Sequence, residues 1–216
     1  MIKINSVIKR KIDHIVYAVS NLDEAIKVFE KATGISPIFG GYHTTEGTKN
    51  ALVNLQDGVY LEFIAIDETN LKVPKDRWMG IDLLTKNQVT RFALKSNDLI
   101  SDSTILKRYN SAMGTKKEGS RHTVTGALLQ WELLMPLATP EVELIPFILD
   151  WSTSEMHPHD MLPDMNCTLI ELYATHPKPE SISPFLDQLA YHLRIEKSNI
   201  ISLRLTLNTP NGIVHL

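Results

Sequence analysis

The sequence predicts an α+β fold in which βαβββ modules repeat and form a mixed β-sheet with helices on its outside. Two observations support this prediction. The same order of strand and helix patterns recurs along the chain, and each helix pattern carries a single apolar face that can cover a sheet. The 216 residues are 43% hydrophobic and 22% charged, which is enough apolar material for a sizeable core.

The first module begins with a strand that leads into a helix. Residues 12–19 are rich in β-branched and aromatic side chains and are followed by polar residues typical of a helix start. Leu22, Ile26 and Phe29 then recur at spacings of four and three, which places them on one helix face. Gly34 suits the left-handed turn that ends a helix. Three further strands are predicted at 36–39, 48–55 and 59–66, with a break at Gly40 and Gly41 and a turn at 56–58.

The second module repeats this order. A strand at 90–96 precedes a helix at 98–109, and three strands are predicted at 116–125, 127–135 and 142–149. Residues 152–165 are dense in Pro, His, Asp and Met without periodicity, which is typical of a linker loop.

The third segment repeats the order of strand and helix patterns but has fewer elements. A strand at 168–174, a helix at 185–193 and a hairpin formed by 200–208 and 213–216 predict a partial βαββ module. The predicted organisation is therefore a first domain at 1–151, made of modules at 11–70 and 88–151, a linker at 152–165, and a third module at 166–216 packed on the sheet. An unfinished module leaves an open sheet edge, which predicts pairing with another module or with a second chain as a homodimer.

Composition argues against several classes of partner. The net charge is −3 and the basic residues are scattered, so we expect no nucleic acid partner. No apolar stretch approaches the roughly 18 residues that span a bilayer, and the first residues lack the apolar core of a secretory signal, so we expect a cytoplasmic protein without a membrane partner. Cys167 is the only cysteine, which excludes an intrachain disulfide. The sequence lacks a Gly-rich phosphate loop, which predicts no nucleotide cofactor.

The strongest candidate for chemistry is a pair of polar residues among apolar strand neighbours. His14 lies on the first strand and Glu62 on the last strand of module one, and alternation places both on an inner, apolar sheet face. An unpaired charge there is costly, so each group needs a partner. A mutual hydrogen bond satisfies this need, and so does coordination of a divalent metal.

Three nearby residues extend this candidate site. His43 follows two glycines on a predicted loop that can bend back towards the sheet and supply a third ligand or a catalytic imidazole. Thr48 and Asn50 share one strand face, where a hydroxyl and an amide can orient a small polar ligand.

Three segments of module one resemble the first module of glyoxalase-like proteins of the vicinal oxygen chelate superfamily: IDHIVYAVSNLDEA, GGYHTTEGTKNALVNL and VYLEFIAID. Further along, GALLQWELL and IPFILDW, followed by His157 and Pro158, extend the resemblance over roughly residues 11–160. It implies paired βαβββ modules whose cup holds one divalent metal, with His14 and Glu62 as ligands and His157 near the substrate.

The second module departs from the family pattern. Its corresponding positions are Thr90 or Arg91 and Ile145 or Pro146, which supply no second His/Glu pair. We therefore expect a metal site made of His14, His43 and Glu62 with water, in which Glu62 or His43 moves a proton.

Two further residues of the second module are candidates for the substrate site. Arg91 can pair with an anionic substrate or with Glu62 itself. Trp131 either forms an aromatic wall of the pocket or packs in the core.

Three hypotheses for function follow. The first is a glyoxalase-like metalloenzyme or relative of lyase, isomerase or dioxygenase type, which acts on a small oxygenated metabolite through zinc, nickel, manganese or iron. The second is a metal-free protein that binds a small molecule in the same cup. The third is a scaffold that dimerises through the third module.

Overall fold

The computed structural model describes residues 10–70, 72, 77–96, 98–123 and 126–216. Its strands and α-helices follow one another in this order: β1 (Ile12–Ala18), α1 (Leu22–Thr33), β2 (Ile38–His43), β3 (Thr48–Asn54), β4 (Tyr60–Ile66), β5 (Gln88–Lys95), α2 (Leu99–Tyr109), β6 (Lys116–His122), β7 (Leu128–Leu134), β8 (Phe147–Asp150), β9 (Thr168–His176), α3 (Ser183–Gln188), β10 (Arg194–Lys197), β11 (Ser202–Thr209) and β12 (Gly212–His215). Short 3₁₀ segments occupy Trp78–Leu83, Pro158–Met161 and Pro179–Ser181. None of the helices in these ranges is long and apolar enough to cross a membrane.

Eight strands form one curved sheet in the order β2-β3-β4-β1-β5-β8-β7-β6. β1 and β5 pair antiparallel at its centre, and each has a parallel neighbour, β4 and β8 respectively. Both halves therefore run outwards in the same order, as two βαβββ modules. The Arg121 guanidinium on β6 donates a hydrogen bond to the Gly40 carbonyl on β2, which joins the two edges. The predicted α+β class and cupped sheet are confirmed.

Local signals explain where α1 begins and ends. The Asn21 side chain accepts a hydrogen bond from the Glu24 backbone N–H, which caps the first turn. Gly34 takes the left-handed conformation at φ 76° and ends the helix. Leu22 and Phe29 are buried against the sheet, as the apolar spacing predicts.

The register of β1 contains a β-bulge that matters for function. Ile12 pairs with Leu94 and His14 pairs with Ala93, so one residue of β1, Asp13, has no partner on β5. A bulge changes the direction of the side chain that it inserts. Asp13 consequently contacts the side chain of its neighbour His14 instead of facing the opposite side of the sheet.

Apolar side chains fill both sides of the large sheet. The outer core lies between the sheet, α1, α2 and the second sheet, and it includes Ile15, Phe92 and Leu205. The inner core lies inside the cup and includes Val16 and Leu133.

The third segment folds as a separate four-stranded sheet, in the order β10-β9-β11-β12. The sequence does not predict β10, because Ile195 is its only apolar residue and alternation is absent. β9 lies between β10 and β11, an order that differs from the first two modules. The helix α3 ends at Gln188, before the predicted end at residue 193. In the turn between β11 and β12, Gly212 has a positive φ. The division into domains and the pairing of an open edge with a second chain stay predictions.

Two strand boundaries differ from the sequence prediction. β2 continues through Gly40 and Gly41, with an irregularity in its pairing to β3, so His43 lies at a strand end and not on a loop. β8 begins at Phe147 rather than at residue 142. Pro146 has no N–H for a ladder hydrogen bond, which explains the late start.

Candidate active site

A pocket lies inside the cup. One half of its lining is polar and the other half is apolar and aromatic. The polar residues are His14, His43, Asn50, Tyr60, Glu62 and Arg121, and the remaining ones are Trp78, Met79, Trp131, Leu133, Phe147, Leu149 and Trp151. This mixture of polar and apolar surfaces is typical of sites for small ligands.

The two modules contribute different chemistry to the pocket. Tyr60 and Glu62 alternate on the inner face of β4, while Phe147 and Leu149 occupy the corresponding face of β8. The positions expected to correspond to the His/Glu pair, Ile145 and Pro146, precede β8, so that alignment was wrong. The polar groups of the site therefore come chiefly from the first module.

His14 and Glu62 meet at the centre of the polar half. The His14 Nδ1 lies 2.7 Å from Asp13 Oδ1. Since an ionised carboxylate only accepts, Nδ1 carries a proton and donates it. The other ring nitrogen, Nε2, faces Glu62 Oε2 at 3.5 Å. His14 and Glu62 are only 4% and 6% exposed, so the ring nitrogen and the carboxylate face each other with little solvent between them.

Asp13 holds this arrangement from behind. Its carboxylate is fully buried and also accepts hydrogen bonds from Trp151 Nε1 at 3.0 Å and from His157 Nε2 at 2.8 Å. Burial opposes the charge, yet the hydrogen bonds from His14 and His157 prevail and lower the pKa of Asp13 below its usual range. Asp13 therefore stays ionised and fixes the orientation of the His14 ring.

His43 approaches Glu62 from the end of β2. Its Nδ1 lies 3.0 Å from Thr48 Oγ1, and its Nε2 lies 3.4 Å from the Asn50 amide nitrogen and 3.9 Å from Glu62 Oε1. Because the amide nitrogen can only donate, Nε2 accepts and Nδ1 carries the proton. Burial lowers the pKa of His43, although the Glu62 charge partly opposes the shift, so the ring stays neutral.

Asn50 links the two sides of the pocket. Its amide nitrogen donates to Glu62 Oε1 at 2.6 Å, while its carbonyl oxygen is buried without a partner among the described atoms. Tyr60 stacks on the His14 ring at 4.8 Å between centroids. Burial, together with the charges of Asp13 and Glu62, raises the pKa of Tyr60 well above its usual value, so its hydroxyl stays protonated.

The structure brings most of the sequence-predicted residues together. His14, His43, Asn50, Glu62 and Trp131 line the pocket. Thr48 contacts the back of the His43 ring, and His157 contacts Asp13, so both lie behind the lining.

The placement of Arg91 beside the cup was wrong. Its guanidinium is fully buried and donates to the backbone carbonyls of Thr90, Leu137, Thr139 and Glu141. Arg91 on β5 pairs with Val16 on β1, but its side chain extends to the loop that precedes β8. Arg91 therefore anchors that loop and contacts neither Glu62 nor the pocket.

Sequence reasoning missed Asp13, Trp151 and Arg121. Strict alternation places Asp13 on the opposite face from His14, and only the bulge reverses this. Trp151 follows β8 immediately, where no pattern specifies direction. Arg121 lies on a strand rich in polar residues, so nothing in the pattern distinguished it from a solvated cation.

The donor types of the site suit a divalent metal. Within the described ranges, the His, Cys, Asp and Glu side chains form no group of three already arranged as a metal site. Two ligands at about 2.1 Å from one ion lie about 3.0–3.4 Å apart. The separations of Glu62 from the two Nε2 atoms, 3.5 and 3.9 Å, are slightly larger. Imidazoles whose second nitrogens are hydrogen-bonded to Asp13 and Thr48 match the usual surroundings of metal-bound histidines.

Comparison with known proteins places the whole chain in context. A family model described as glyoxalase-like domain matches residues 12–190. The fold is similar to that of a hypothetical protein from Staphylococcus aureus, with a TM-score of 0.68, 15% identity, and coverage of 94% of this chain and 97% of that chain. At this identity the likeness shows the fold alone.

Two methylmalonyl-CoA epimerase structures are more distant. For the protein from Mycobacterium tuberculosis the TM-score is 0.39 at 16% identity, with coverage of 64% of this chain and 86% of that chain. For a Streptomyces coelicolor variant in complex with 2-nitronate-propionyl-CoA it is 0.43 at 16% identity, with coverage of 67% and 98%. No curated protein sequence matches the chain.

Proposed function

The chain belongs to the glyoxalase-like domain family, and on that basis we propose that it is an enzyme that transfers a proton on a small oxygenated metabolite bound in the cup. The observation that carries the proposal is the chain of contacts from Asp13 through His14 to Glu62, with separations of 2.7 and 3.5 Å, at the wall of the pocket. A buried base and a buried imidazole at this spacing can hold and exchange one proton.

Each residue has a distinct role in this proposal. Glu62 accepts a proton from the carbon next to a substrate carbonyl, and His14 returns or relays it through Nε2. Asp13 is a positioning residue, because it fixes the His14 ring and balances the imidazolium charge without reaching the pocket. Tyr60, which stays protonated, stacks on the His14 ring and helps to hold it in place. The apolar half of the pocket excludes water from the reacting atoms. Isomerase and lyase reactions share this step.

The same residues would hold a divalent cation. His14 and His43 would offer their Nε2 atoms and Glu62 its carboxylate, with zinc, nickel, manganese or iron as candidates. When bound, the ion supplies Lewis acidity towards substrate oxygens.

Hydrogen–deuterium exchange tests the proposal. Small 2-oxo acids and hydroxyketones are incubated with the protein in D₂O, and the loss of their α-proton signals is followed by proton NMR. We expect the wild type to accelerate exchange, and Glu62→Gln and His14→Gln to slow it by about 10²–10⁴-fold, the usual contribution of acid–base catalysis. The matched control is Glu68→Gln, which removes an exposed carboxylate paired with Lys49. Exchange at the wild-type rate in both site variants would refute the proposal.

A metal-free binding protein is the second candidate, and one contact favours it. The Asn50 amide already satisfies Glu62 and His43 by donating towards both of them. Metal analysis of untagged protein, with melting temperatures measured after addition of each ion, separates the candidates. If the protein is an enzyme with a bound cation, the wild type should contain stoichiometric metal, and His14→Ala and Glu62→Ala should lose it. The binding protein predicts no metal and no stabilisation.

A further inference from the structure

A second cavity adjoins the candidate active site. Its wall is almost entirely apolar, and it is formed by Ile38, Phe39, Gly40, Leu52, Thr123, Pro158, Met161 and Leu162 together with one charged residue, Arg121. Arg121 also lines the pocket that contains His14 and Glu62. Its guanidinium therefore lies where the polar pocket and the apolar cavity meet.

The charge of Arg121 is poorly compensated by the protein. The residue is only 8% exposed, and its hydrogen bond to the Gly40 carbonyl is to a neutral group. Among the described residues, no carboxylate forms an ion pair with it. A buried guanidinium is costly without an anion, and its planar fork suits a carboxylate. Burial also lowers the pKa of Arg121, although the Glu62 charge opposes this shift.

We propose that Arg121 binds the carboxylate of the substrate, and that the substrate is a small carboxylic acid whose apolar chain occupies the cavity lined by Leu52 and Met161. The inference deepens the proposed function, on which it rests for the identity of the pocket. An anion held at Arg121 leaves the adjoining part of the molecule beside Glu62 and His14, where a proton can be removed. The apolar cavity then selects for chain length.

Arg121 also helps to close the cup, because its hydrogen bond to the Gly40 carbonyl joins β6 to β2. A variant that removes the guanidinium could therefore affect folding as well as binding. For this reason the test needs both a neutral and a charged replacement, with the melting temperature of each recorded.

Equilibrium binding measured by isothermal titration calorimetry tests the inference, with hexanoate, butanoate and hexanamide as probes. We expect the wild type to prefer hexanoate over the neutral hexanamide by about tenfold or more, because a charge-assisted hydrogen bond is lost. The affinity for hexanoate should exceed the affinity for butanoate by about fourfold for each additional methylene group. Arg121→Gln should abolish the preference for the anion. Lys116→Gln, which removes an exposed cation from the same strand, should bind like the wild type.

Several results would overturn the inference: no binding of hexanoate at millimolar concentration, equal affinity for hexanoate and hexanamide, or unchanged hexanoate affinity in Arg121→Gln. If Arg121→Gln does not fold, Arg121→Lys is the deciding variant. Loss of the guanidinium fork should lower the affinity for hexanoate severalfold and leave the affinity for hexanamide unchanged. Unchanged hexanoate affinity in that variant would be equally decisive against it. Binding is measured without any reaction, so the two proposals can fail separately. If the wild type binds hexanoate selectively but does not accelerate proton exchange, the proposed function is refuted and the role of Arg121 is not.

Discussion

Asp13 determines the orientation of the site although it does not line the pocket. Its buried carboxylate accepts hydrogen bonds from the neighbouring His14 and from Trp151 and His157, which lie in the segment after β8. A carboxylate that orients an imidazole in this way fixes the tautomer and so fixes which nitrogen faces the substrate. The reactive Nε2 of His14 is directed at Glu62 because Asp13 holds the other nitrogen.

Replacement of Asp13 by Asn should therefore affect stability and its pH dependence. We expect a loss of about 1.5–3 kcal/mol at neutral pH, because hydrogen bonds to a buried charge are lost. The folded-state pKa of Asp13 is lowered. Its stabilisation is thus complete above the unfolded value of about 3.9 and decreases as the pH falls towards the folded-state pKa. Urea unfolding of both proteins across acidic pH measures this difference.

The control for that experiment is Asp187→Asn, at an exposed position of α3. It should unfold like the wild type at every pH. If the difference in free energy of unfolding between wild type and Asp13→Asn stays constant as the pH falls, the role assigned to the charge of Asp13 is contradicted.

At the scale of single residues, the sequence predicted the site only where alternation holds. His14 and Glu62 were found because regular strands place them among inward apolar residues. Asp13 was missed because a bulge is a property of the pairing between β1 and β5, which sequence periodicity does not show. Arg91 and Arg121 are similar cations in sequence, and only the tertiary fold separates the structural residue from the one that lines the pocket.

At the scale of elements, β6 and β7 form the aromatic side of the pocket through a close contact. Gly119 on β6 pairs with Trp131 on β7, and a Cβ on Gly119 would lie 2.4 Å from the Trp131 indole. The absence of a side chain at residue 119 thus lets the indole lie flat against the strand. Trp131 in turn packs against Trp151 at 5.3 Å between centroids.

Gly119→Ala should displace Trp131 and narrow the pocket. We expect it to lower stability by about 1–3 kcal/mol, the usual cost of overpacking, and to change the near-ultraviolet circular dichroism of the tryptophans. The neighbouring Ser120→Ala, at an exposed position of the same strand, should leave both signals unchanged. An unaltered tryptophan spectrum in Gly119→Ala would show that the contact does not position the ring.

Elements with strong periodicity were predicted well, and weak ones were not. The apolar spacing in α1 and the alternation in β4 match the structure closely. β10 was missed because Ile195 is its only apolar residue, and β2 was cut short because two glycines read as a break. In both cases pairing with a neighbouring strand decides the conformation, which is tertiary information.

For the whole molecule, the third segment completes the core of the first two modules. Leu205 on β11 is fully buried in the same apolar cluster as Ile15 and Phe92. The two sheets therefore share one core, and they should unfold together.

Leu205→Ala tests this coupling of the sheets. We expect a destabilisation of about 2–5 kcal/mol with a single unfolding transition that coincides for circular dichroism and tryptophan fluorescence. All three tryptophans, Trp78, Trp131 and Trp151, lie at the pocket and not in the third segment. A circular dichroism transition that precedes the fluorescence transition would mean that the third segment unfolds independently.

The convergence of His14 and Glu62 in one buried site is tested most directly by a double-mutant cycle on the free energy of unfolding in urea. His14→Gln, Glu62→Gln and the double variant are compared with the wild type, and a parallel cycle of Glu62→Gln with His176→Gln on β9 serves as the control. We predict a coupling energy of about 0.5–3 kcal/mol for the site pair, as found for residues in contact, and none for the control. Additive effects of the two site substitutions, within about 0.3–0.5 kcal/mol, would contradict the account.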